Sequence, residues 1–143
     1  MAGAGRSGTG SAGSSFNADN LDFPGVPYSR GNFHSCDRCP GGCNINSWTD
    51  TTQVRICRLL GLVDLDQGQP DTKQKILNFL NHMIDIGVAG FRVDAAKHMW
   101  PNDLKAIYEQ TKPLNTNFFP QNSRAYFFQE VIDMNQQGEV RGT

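Results

Sequence analysis

Apolar residues begin to recur at helical spacing after position 70. Asp71 has the side chain of an N-cap, and Gln74 three residues on completes a capping-box pattern. Gly87 is the expected helix stop. Between them, five apolar residues form one stripe on a helix: Ile76, Leu77, Leu80, Met83 and Ile84. The pattern predicts an amphipathic helix that starts at Asp71 and ends before Gly87.

Two short apolar segments in the C-terminal half predict buried strands. The first covers residues 88–94 and contains one internal charge, Arg92, and the second covers residues 125–130. Between them, Pro101 is placed to open a second helix. The order helix, strand, helix, strand suits parallel strands, because these need crossover connections. The predicted fold class is therefore α/β.

The first 50 residues lack this periodicity and are rich in Gly, Ser, Asn and Pro. Interspersed aromatic residues favour a loop-built excursion from a larger domain over a solvated tail: Phe16, Phe23, Tyr28, Phe33 and Trp48. The opening fifteen residues have no apolar core of the kind that a secretory signal needs. The last six residues show no terminating element, so we expect both ends to be cuts within a longer chain.

Composition narrows the classes of partner. The chain has 143 residues, of which 38% are hydrophobic and 19% charged, with a net charge of -1. This near-neutral balance gives no electrostatic reason to expect nucleic acid or an anionic membrane as a partner. No apolar run approaches the roughly 20 residues that a membrane span requires. The length suits one ordinary domain with its own core.

Four cysteines lie close together: Cys36, Cys39, Cys43 and Cys57. An even number at short spacing favours disulfides formed in an oxidising compartment. The Cys36-x-x-Cys39 spacing, followed by Cys43, also resembles the start of a zinc site. A second C-x-x-C pair is missing, and His34 is the only imidazole nearby. Disulfides are favoured, and a small zinc module within residues 36–57 stays open as the alternative.

Both predicted strands end in an acid, Asp94 and Glu130. In parallel α/β folds the active site lies beyond the carboxyl ends of the strands, and neighbouring strands are about 4.8 Å apart. Such a pair can approach the roughly 5–5.5 Å separation of retaining glycosidases, in which one carboxylate attacks the anomeric carbon and the other protonates the leaving oxygen. Arg92 points to the same side of its strand as Asp94 and needs an anionic partner. The alternative is that each acid caps a helix or pairs with a lysine.

These segments resemble the alpha-amylase family, and in particular its animal branch. The run from Gly90 to His98 looks like the family segment that contains the catalytic nucleophile, and the run from Phe128 to Asp133 like the segment that contains the acid/base. Five further stretches match the animal branch: Tyr28-Ser29-Arg30, Thr52-Gln53-Val54-Arg55, Gly61-Leu62-Val63-Asp64-Leu65, Asn81-His82-Met83-Ile84-Asp85 and Met99-Trp100-Pro101-Asn102-Asp103-Leu104-Lys105. Because they occur in order and at the correct intervals, they form a more specific signal than any one motif.

The resemblance implies a section of a (β/α)8 TIM barrel, about strands three to five. Residues 1–65 would be the irregular excursion known as domain B, and residues 66–143 a barrel segment with two strands and crossover helices. The implied activity is that of a retaining glycoside hydrolase that cleaves internal α-1,4-glucosidic bonds in starch, glycogen and malto-oligosaccharides. The parent enzyme would be a secreted, extracellular monomer of carbohydrate metabolism.

The resemblance also implies roles within the active site. Asp94 would be the nucleophile and Glu130 the proton donor. Arg92 would hold both the nucleophile and an activating chloride, and an anion beside the acid/base would help to set its proton affinity. The glucan cleft would be lined by Lys97, His98, Ile132, Trp48 and Leu59.

A structural calcium ion is implied as well. It would be bound by the carboxylate of Asp64 and by the backbone carbonyls of Arg55 and His98, since a hard cation takes oxygen ligands. The resemblance also bears on the cysteines, because Cys57 fits a family position. Its partner would be Cys39 or Cys43, and Cys36 would pair with the one that remains.

Part of the family's machinery falls outside this sequence. The third catalytic acid, in an Asn-His-Asp motif, is not found in it, nor are the remaining calcium and chloride ligands. We therefore expect negligible amylase activity from this chain alone. The alternatives are a non-catalytic carbohydrate-binding remnant that uses the aromatic residues of 1–65, and a related hydrolase that acts on other α-glucan bonds.

Overall fold

The computed structural model describes residues 7–132. Its strands and helices are, in chain order, β1 Ser7–Thr9, β2 Ser15–Asn17, α1 Thr51–Ile56, α2 Pro70–Asp85, β3 Gly90–Val93, α3 Pro101–Gln110 and β4 Tyr126–Gln129. Short 3-10 turns lie at Arg30–Asn32, Cys36–Arg38 and Ala96–His98. Within residues 7–132 no helix is both long and apolar enough to cross a membrane.

β3 and β4 form a two-stranded parallel sheet and are connected through α3. Gly90 pairs with Tyr126, and Val93 with Gln129. The predicted order of elements and the α/β class are therefore confirmed, although both strands are shorter than the predicted 88–94 and 125–130. Parallel pairing brings the carboxyl ends of the two strands to the same edge of the sheet.

Only one face of this sheet is covered within the described chain. Phe91 and Phe127 stack across the two strands, and Tyr108 of α3 stacks on Phe127 with 4.3 Å between ring centroids. The opposite face exposes Tyr126 and Phe128, which are 70% and 49% accessible to solvent. The prediction of fully buried strands is therefore wrong for this face, because residues 7–132 supply no layer that covers it.

The N-cap predicted for α2 is also wrong. The helix begins at Pro70, whose fixed φ suits the first helical position, and Gln69 is an N-cap without a side-chain hydrogen bond. Asp71 lies within the first turn instead. Its carboxylate accepts a hydrogen bond from Asn32 (2.8 Å) and pairs with Lys75 (2.7 Å). At that position its charge still complements the positive end of the helix dipole.

The predicted stop at Gly87 is confirmed. Gly87 has a φ of 103°, and its amide donates to the carbonyl of Ile84 at 3.1 Å. The amide of Val88 donates to the carbonyl of Met83 at 3.0 Å. These two bonds form a Schellman motif, which favours glycine because the residue after the helix is left-handed. The motif ends α2 and turns the chain towards β3.

The N-terminal part consists of loops packed on a small apolar cluster. β1 and β2 pair as an antiparallel ladder. The following loop contributes Ala18 and Leu21 to a cluster with Val63, and Phe23 and Phe33 pack against it. The aromatic residues of this part are therefore packed within the structure. A domain boundary at residue 65 stays a prediction.

All four cysteines lie in the described range, and all four are paired. Cys36 bonds to Cys43, and Cys39 to Cys57. Since bridged cysteines cannot ligate a metal, the alternative of a zinc module in residues 36–57 is wrong. Two pairings were expected, and the structure has the one in which Cys57 bonds to Cys39. The second bridge belongs to an apolar cluster with Ile56, where Cys39 and Cys57 are both buried.

Candidate active site

The two strand-end acids occupy opposing positions of the parallel sheet. The register of β3 and β4 continues by one residue beyond the strands, where the amide of Glu130 donates to the carbonyl of Val93 at 2.8 Å. This continuation places Asp94 opposite Glu130. Because side chains alternate along a strand, both acids fall on the exposed face of the sheet, together with Arg92. Neither acid is the N-cap of a helix within residues 7–132.

The carboxylate of Glu130 is held beside the backbone of Asp94. Its Oε2 accepts a hydrogen bond from the amide of Ala95 at 2.9 Å. An amide nitrogen lies about 2.4 Å from the preceding Cα, so Glu130 Oε2 is within about 5.3 Å of the Cα of Asp94. One acid is thus fixed by a main-chain contact to the residue that follows the other.

Arg92 has the anionic partner that its place in an apolar strand requires. Its Nη1 donates to Asp94 Oδ1 at 2.5 Å. The two side chains are 52% and 67% exposed, so water screens the pair and its contribution to stability is small. Its effect is on orientation, because the contact fixes one carboxylate oxygen of Asp94. A guanidinium has five N–H groups in a fixed plane, which leaves further donors for an anion beside Asp94.

A left-handed residue turns the chain sharply after Asp94. Ala95 has φ 50° and ψ 40° and precedes the 3-10 turn Ala96–His98. The amide of Ala96 donates to the main-chain carbonyl of Glu130 at 3.0 Å. For alanine this conformation costs roughly 1–2 kcal/mol, and such strain concentrates at functional sites. The turn carries the chain from the acids to Lys97 and His98.

Four of the five predicted cleft residues come together beyond this turn. Lys97 Nζ donates to the carbonyl of Ile132 at 2.7 Å and lies 5.7 Å from the centroid of the Trp48 ring. The ring of His98 meets that of Trp48 edge to face, with centroids 5.9 Å apart. Lys97 is buried, whereas the side chains of Trp48 and Ile132 remain largely accessible. The group therefore presents an aromatic and an aliphatic surface near the carboxyl ends of β3 and β4, where the two acids lie.

His98 connects this group to α1. Its Nδ1 lies 2.8 Å from the carbonyl of Val54, and because a carbonyl only accepts, Nδ1 carries the proton. Burial lowers the pKa of His98 below its ordinary value, and this effect outweighs the hydrogen bond with Val54. The imidazole is therefore neutral at pH 7, with Nε2 as an acceptor.

Leu59, the fifth predicted cleft residue, opens a reverse turn. The amide of Leu62 donates to its carbonyl at 3.0 Å, and the two central residues, Leu60 and Gly61, have φ values of 52° and 80°. These values are those of a type I′ turn. Leu60 is almost fully exposed and was not predicted, because a leucine in a left-handed conformation leaves no sequence signal. The role of Leu59 in the cleft stays a prediction.

The residues predicted to bind calcium lie on segments that meet beside α1. His98 contacts the carbonyl that precedes Arg55, and the negative charge of Asp64 acts on His98. Arg55 is in the last turn of α1, and within residues 7–132 no backbone N–H of a turn or loop donates to the carbonyls of Arg55 and His98. A carboxylate and two such carbonyls are donors that a hard cation takes, at a helix end that favours positive charge. The donor set therefore fits calcium.

This fit depends on backbone oxygens. Within residues 7–132 no cluster of three His, Cys, Asp or Glu side chains is arranged to hold a metal ion. Two of the three predicted donors are carbonyls, and no side-chain pattern identifies those. Arg55 itself uses its guanidinium elsewhere, 4.8 Å above the ring of Trp100. Burial lowers the pKa of this guanidinium below its ordinary value.

Asp64 has a partner that the sequence analysis missed. His34 Nδ1 lies 2.7 Å from Asp64 Oδ2, and His34 Nε2 lies 3.3 Å from Asp66 Oδ1. Burial lowers the pKa of His34, but the hydrogen bond to Asp64 and the charges of Asp64, Asp66 and Asp103 outweigh it, so the pKa is raised. The alternation of apolar and acidic residues over 63–66 is the signal that could have indicated a strand-like pairing here.

A cavity of about 420 Å³ borders the same region. It lies between α3 and the end of β4, and its lining includes Arg55, Lys97, Tyr108 and Gln129. Lys97 thus separates this cavity from the exposed surface of Trp48. Neither Asp94 nor Glu130 lines this cavity, and Tyr108 and Gln129 lie on the face of the sheet that α3 covers, opposite to the two acids.

Known proteins resemble this chain closely. The alpha-amylase of Tribolium castaneum is 49% identical over 131 residues, which is 91% of this chain. Human alpha-amylase 1B is 51% identical over 122 residues, or 85% of this chain. The resemblance to the animal alpha-amylases is confirmed. The chain spans about a quarter of the length of these alpha-amylases, 26% and 24% respectively, and no protein-family model matches it.

Solved structures of alpha-amylases share the fold of this segment. Wild-type alpha-amylase I of Eisenia fetida matches with a TM-score of 0.87 and 48% identity, over 94% of this chain and 27% of that enzyme. A variant of that enzyme in complex with maltohexaose matches with a TM-score of 0.88 and 46% identity. The alpha-amylase of Geobacillus thermoleovorans, at 23% identity and a TM-score of 0.56, supports the fold alone.

Proposed function

We propose that this chain supplies the catalytic acid pair of an alpha-amylase that cleaves internal α-1,4-glucosidic bonds in starch and glycogen with retention of configuration. The observation that carries the proposal is the opposition of Asp94 and Glu130, with Glu130 Oε2 bonded to the amide after Asp94. Two carboxylates that share one cleft are the requirement of this chemistry. The relatives named alpha-amylase and the maltohexaose complex of the Eisenia fetida enzyme support the same substrate class.

In this proposal β3 and β4 are the fourth and fifth strands of a (β/α)8 barrel. Parallel strands joined by a helix are its repeating unit. The exposed face that carries Tyr126 and Phe128 would face the barrel interior, which is filled by side chains from the remaining strands. Residues 66–143 would then be barrel segment, and residues 1–65 the domain B excursion.

The residues divide the chemistry between them. Asp94, ionised and oriented by Arg92, would attack the anomeric carbon and form a glycosyl–enzyme ester, while the glycosidic C–O bond breaks. Glu130 would give its proton to the departing glycosidic oxygen and later take a proton from water, whose oxygen attacks the same carbon and releases Asp94. The amide of Ala95 engages Glu130 Oε2, which leaves Oε1 to carry the transferred proton.

Substrate binding would use the group beyond the turn. The exposed ring of Trp48 and the side chain of Ile132 offer apolar surfaces for the faces of glucose rings. Nε2 of His98 offers an acceptor and Lys97 a positive charge for sugar hydroxyls. Leu59 would extend the cleft on the side of the turn at residues 59–62. Malto-oligosaccharides of several units would therefore be bound as well as long glucans.

Chloride and calcium would support this site without taking part in bond cleavage. Chloride would be held by the N–H groups of Arg92 that Asp94 does not use, and its charge would favour the protonated form of the nearby Glu130. Calcium would join Asp64 to Arg55 and His98 and so fix the loops of residues 1–65 against the turn after β3. Two disulfides suit a protein secreted into an oxidising medium, and the parent enzyme would act there as a monomer.

A hybrid enzyme tests this function. Residues 7–132 would replace the matching segment of Eisenia fetida alpha-amylase I, and circular dichroism and thermal melting would establish that the hybrid folds. We expect the hybrid to hydrolyse starch, and Asp94→Asn or Glu130→Gln to lower kcat by roughly a thousandfold or more. Asp19→Asn and Glu109→Gln, which change exposed carboxylates outside the site, are the controls. A folded hybrid that keeps its turnover after Asp94→Asn contradicts the proposal.

A further inference from the structure

We propose that His34 is a positioning residue for calcium: it fixes the carboxylate of Asp64 from behind, so that the remaining oxygen of that carboxylate is presented to the ion. The inference rests on the calcium site of the proposed function and adds to it a residue outside the ligand set. Two observations carry it, namely the pairing of two segments and the contacts of the imidazole, and the charge of Asp64 acting on His98 supports it.

Backbone pairing brings His34 and Asp64 to directly opposing positions. Phe33 and Leu65 form an antiparallel bridge, and the amide of His34 donates to the carbonyl of Asp64 at 3.0 Å. Side chains at opposing positions of an antiparallel pair lie on the same face about 5 Å apart. The backbone register therefore places the side chains of His34 and Asp64 next to each other.

In the segment 63–66, acidic and apolar residues alternate, so the acidic side chains and the apolar side chains lie on opposite faces. Val63 and Leu65 are buried, and Val63 joins the N-terminal apolar cluster. Because side chains alternate in extended backbone, Asp64 and Asp66 point to the other side. His34 lies between these two carboxylates, with its side chain 12% exposed. The imidazole is thus held on both of its nitrogens.

This two-sided contact restricts the carboxylate of Asp64. An ionised carboxylate only accepts hydrogen bonds, so Nδ1 of His34 carries a proton towards Asp64 Oδ2 at 2.7 Å. Rotation of the imidazole would break the second contact, to Asp66. Asp64 Oδ2 is therefore occupied and oriented, and Oδ1 is left for a cation. Partners of this kind behind a ligand typically change metal affinity by about 10–100-fold when removed.

The restricted carboxylate belongs to the region where the other predicted donors lie. The charge of Asp64 acts on His98, which is anchored at the carbonyl before Arg55. His34 belongs to the N-terminal loops and His98 to the turn after β3. An ion held by these residues would thus join the two parts of the chain, and His34 would set the angle from which Asp64 approaches it.

Calcium titration of the full 143-residue chain at one fixed pH tests the inference. Isothermal calorimetry would give the affinity, and melting with calcium or with a chelator would give the calcium-dependent rise in Tm. We expect His34→Ala to weaken calcium binding at least about tenfold and to reduce the rise in Tm. His34→Asn keeps an N–H group near the place of Nδ1 and should restore most of the affinity. His82→Ala, at an exposed histidine of α2, is the matched control.

The outcomes separate this inference from the functions it rests on. If His34→Ala lowers Tm equally with and without calcium and leaves the affinity unchanged, His34 is only a structural contact and the inference is wrong. If the unaltered chain binds no calcium, or Asp64→Asn binds it equally well, the calcium site and this inference both fail. Neither calcium result depends on starch hydrolysis by the hybrid enzyme. A failure of the calcium site or of the inference about His34 therefore does not contradict the proposed roles of Asp94 and Glu130.

Discussion

Asp94 and Glu130 oppose each other at the carboxyl ends of two parallel strands, and the amide that follows Asp94 donates to the carboxylate of Glu130. The relative position of the two acids is therefore set by backbone register and one main-chain hydrogen bond, not by the packing of flexible side chains. Catalysis that depends on the separation of two carboxylates benefits from such rigid support.

Shortening the acid at position 130 should impair catalysis even though the carboxyl group remains. Glu130→Asp draws the carboxylate back by about one bond, so it loses the contact with the amide of Ala95. A displacement of about 1 Å at a reacting group can lower the rate a hundredfold, and we expect a loss of kcat of that order in the hybrid enzyme. Steady-state kinetics on maltohexaose would measure it. Glu109→Asp on α3 is the control, and equal kinetics for the two variants would show that the contact has no catalytic consequence.

The end of α2 should be sensitive to a single methyl group. Gly87→Ala places a Cβ on a residue with φ 103° and only 3.2 Å from the ring of Phe118. We expect a loss of about 1–2 kcal/mol in the free energy of unfolding, measured by urea denaturation. Gly31→Ala is the matched control, because its φ is not positive and no atom lies within 4 Å of the added Cβ. A Gly87→Ala variant as stable as Gly31→Ala contradicts the Schellman motif at this position.

The two disulfides should differ in their contribution to stability. Cys39–Cys57 closes a loop of 18 residues and Cys36–Cys43 one of 7, so loop entropy alone gives about 3 and about 2.4 kcal/mol. Cys39 and Cys57 are also buried beside Ile56, so serine there leaves hydroxyls in an apolar cluster. We expect the Cys39→Ser/Cys57→Ser variant to unfold at a lower urea concentration than the Cys36→Ser/Cys43→Ser variant. The reverse order would show that the half-buried bridge Cys36–Cys43 contributes more.

Helix α1 should lose stability in acid. Asp50 is its N-cap and accepts hydrogen bonds from the amides of Thr52 and Gln53, and from the side chain of Gln53. The side-chain hydrogen bond from Gln53 is the largest of the effects that lower the pKa of Asp50. A lowered folded-state pKa means that the contribution is present above the unfolded value and disappears as pH falls through the folded value.

The measurement is Tm as a function of pH from about 5 to about 2, which spans the titration of an aspartate. Asp50→Asn cannot titrate, so its Tm should fall less over this range than that of the unaltered chain. Asp19→Asn, at an exposed position in the turn after β2, should keep the full decline. If Asp50→Asn and Asp19→Asn follow the same curve, the cap does not titrate as proposed.

The features that the sequence predicted are those that depend on nearby residues. The apolar stripe of α2, the stop at Gly87 and Pro101 at the start of α3 each follow from contacts within one helix turn. The acids were found because each ends a short apolar segment. The prediction of Asp71 as the N-cap was wrong although a cap is also a local feature, because Pro70 before it suits the first helical position better and moves the start of α2 upstream.

The features that were missed involve segments distant in sequence. The pairing of His34 with Asp64 joins residues 30 positions apart. The alternation over 63–66 indicates extended backbone there, but it does not identify His34 as the partner. The choice of Cys39 over Cys43 as the partner of Cys57 depends on how the loop at 36–43 folds. The exposed face at Tyr126 and Phe128 depends on elements that residues 7–132 do not contain, so an apolar strand pattern alone predicted burial on both sides.

The most direct test of the catalytic pair is a crystal structure of the hybrid enzyme that carries Glu130→Gln, soaked with maltohexaose. The substitution keeps the shape at position 130 but removes the proton donor, so an intact substrate should remain bound. We predict that one glucosidic linkage lies between the side chains at positions 94 and 130, with its anomeric carbon about 3–3.5 Å from the carboxylate of Asp94. Maltohexaose bound away from both residues, or an Asp94 side chain directed away from the sugar, would contradict the account.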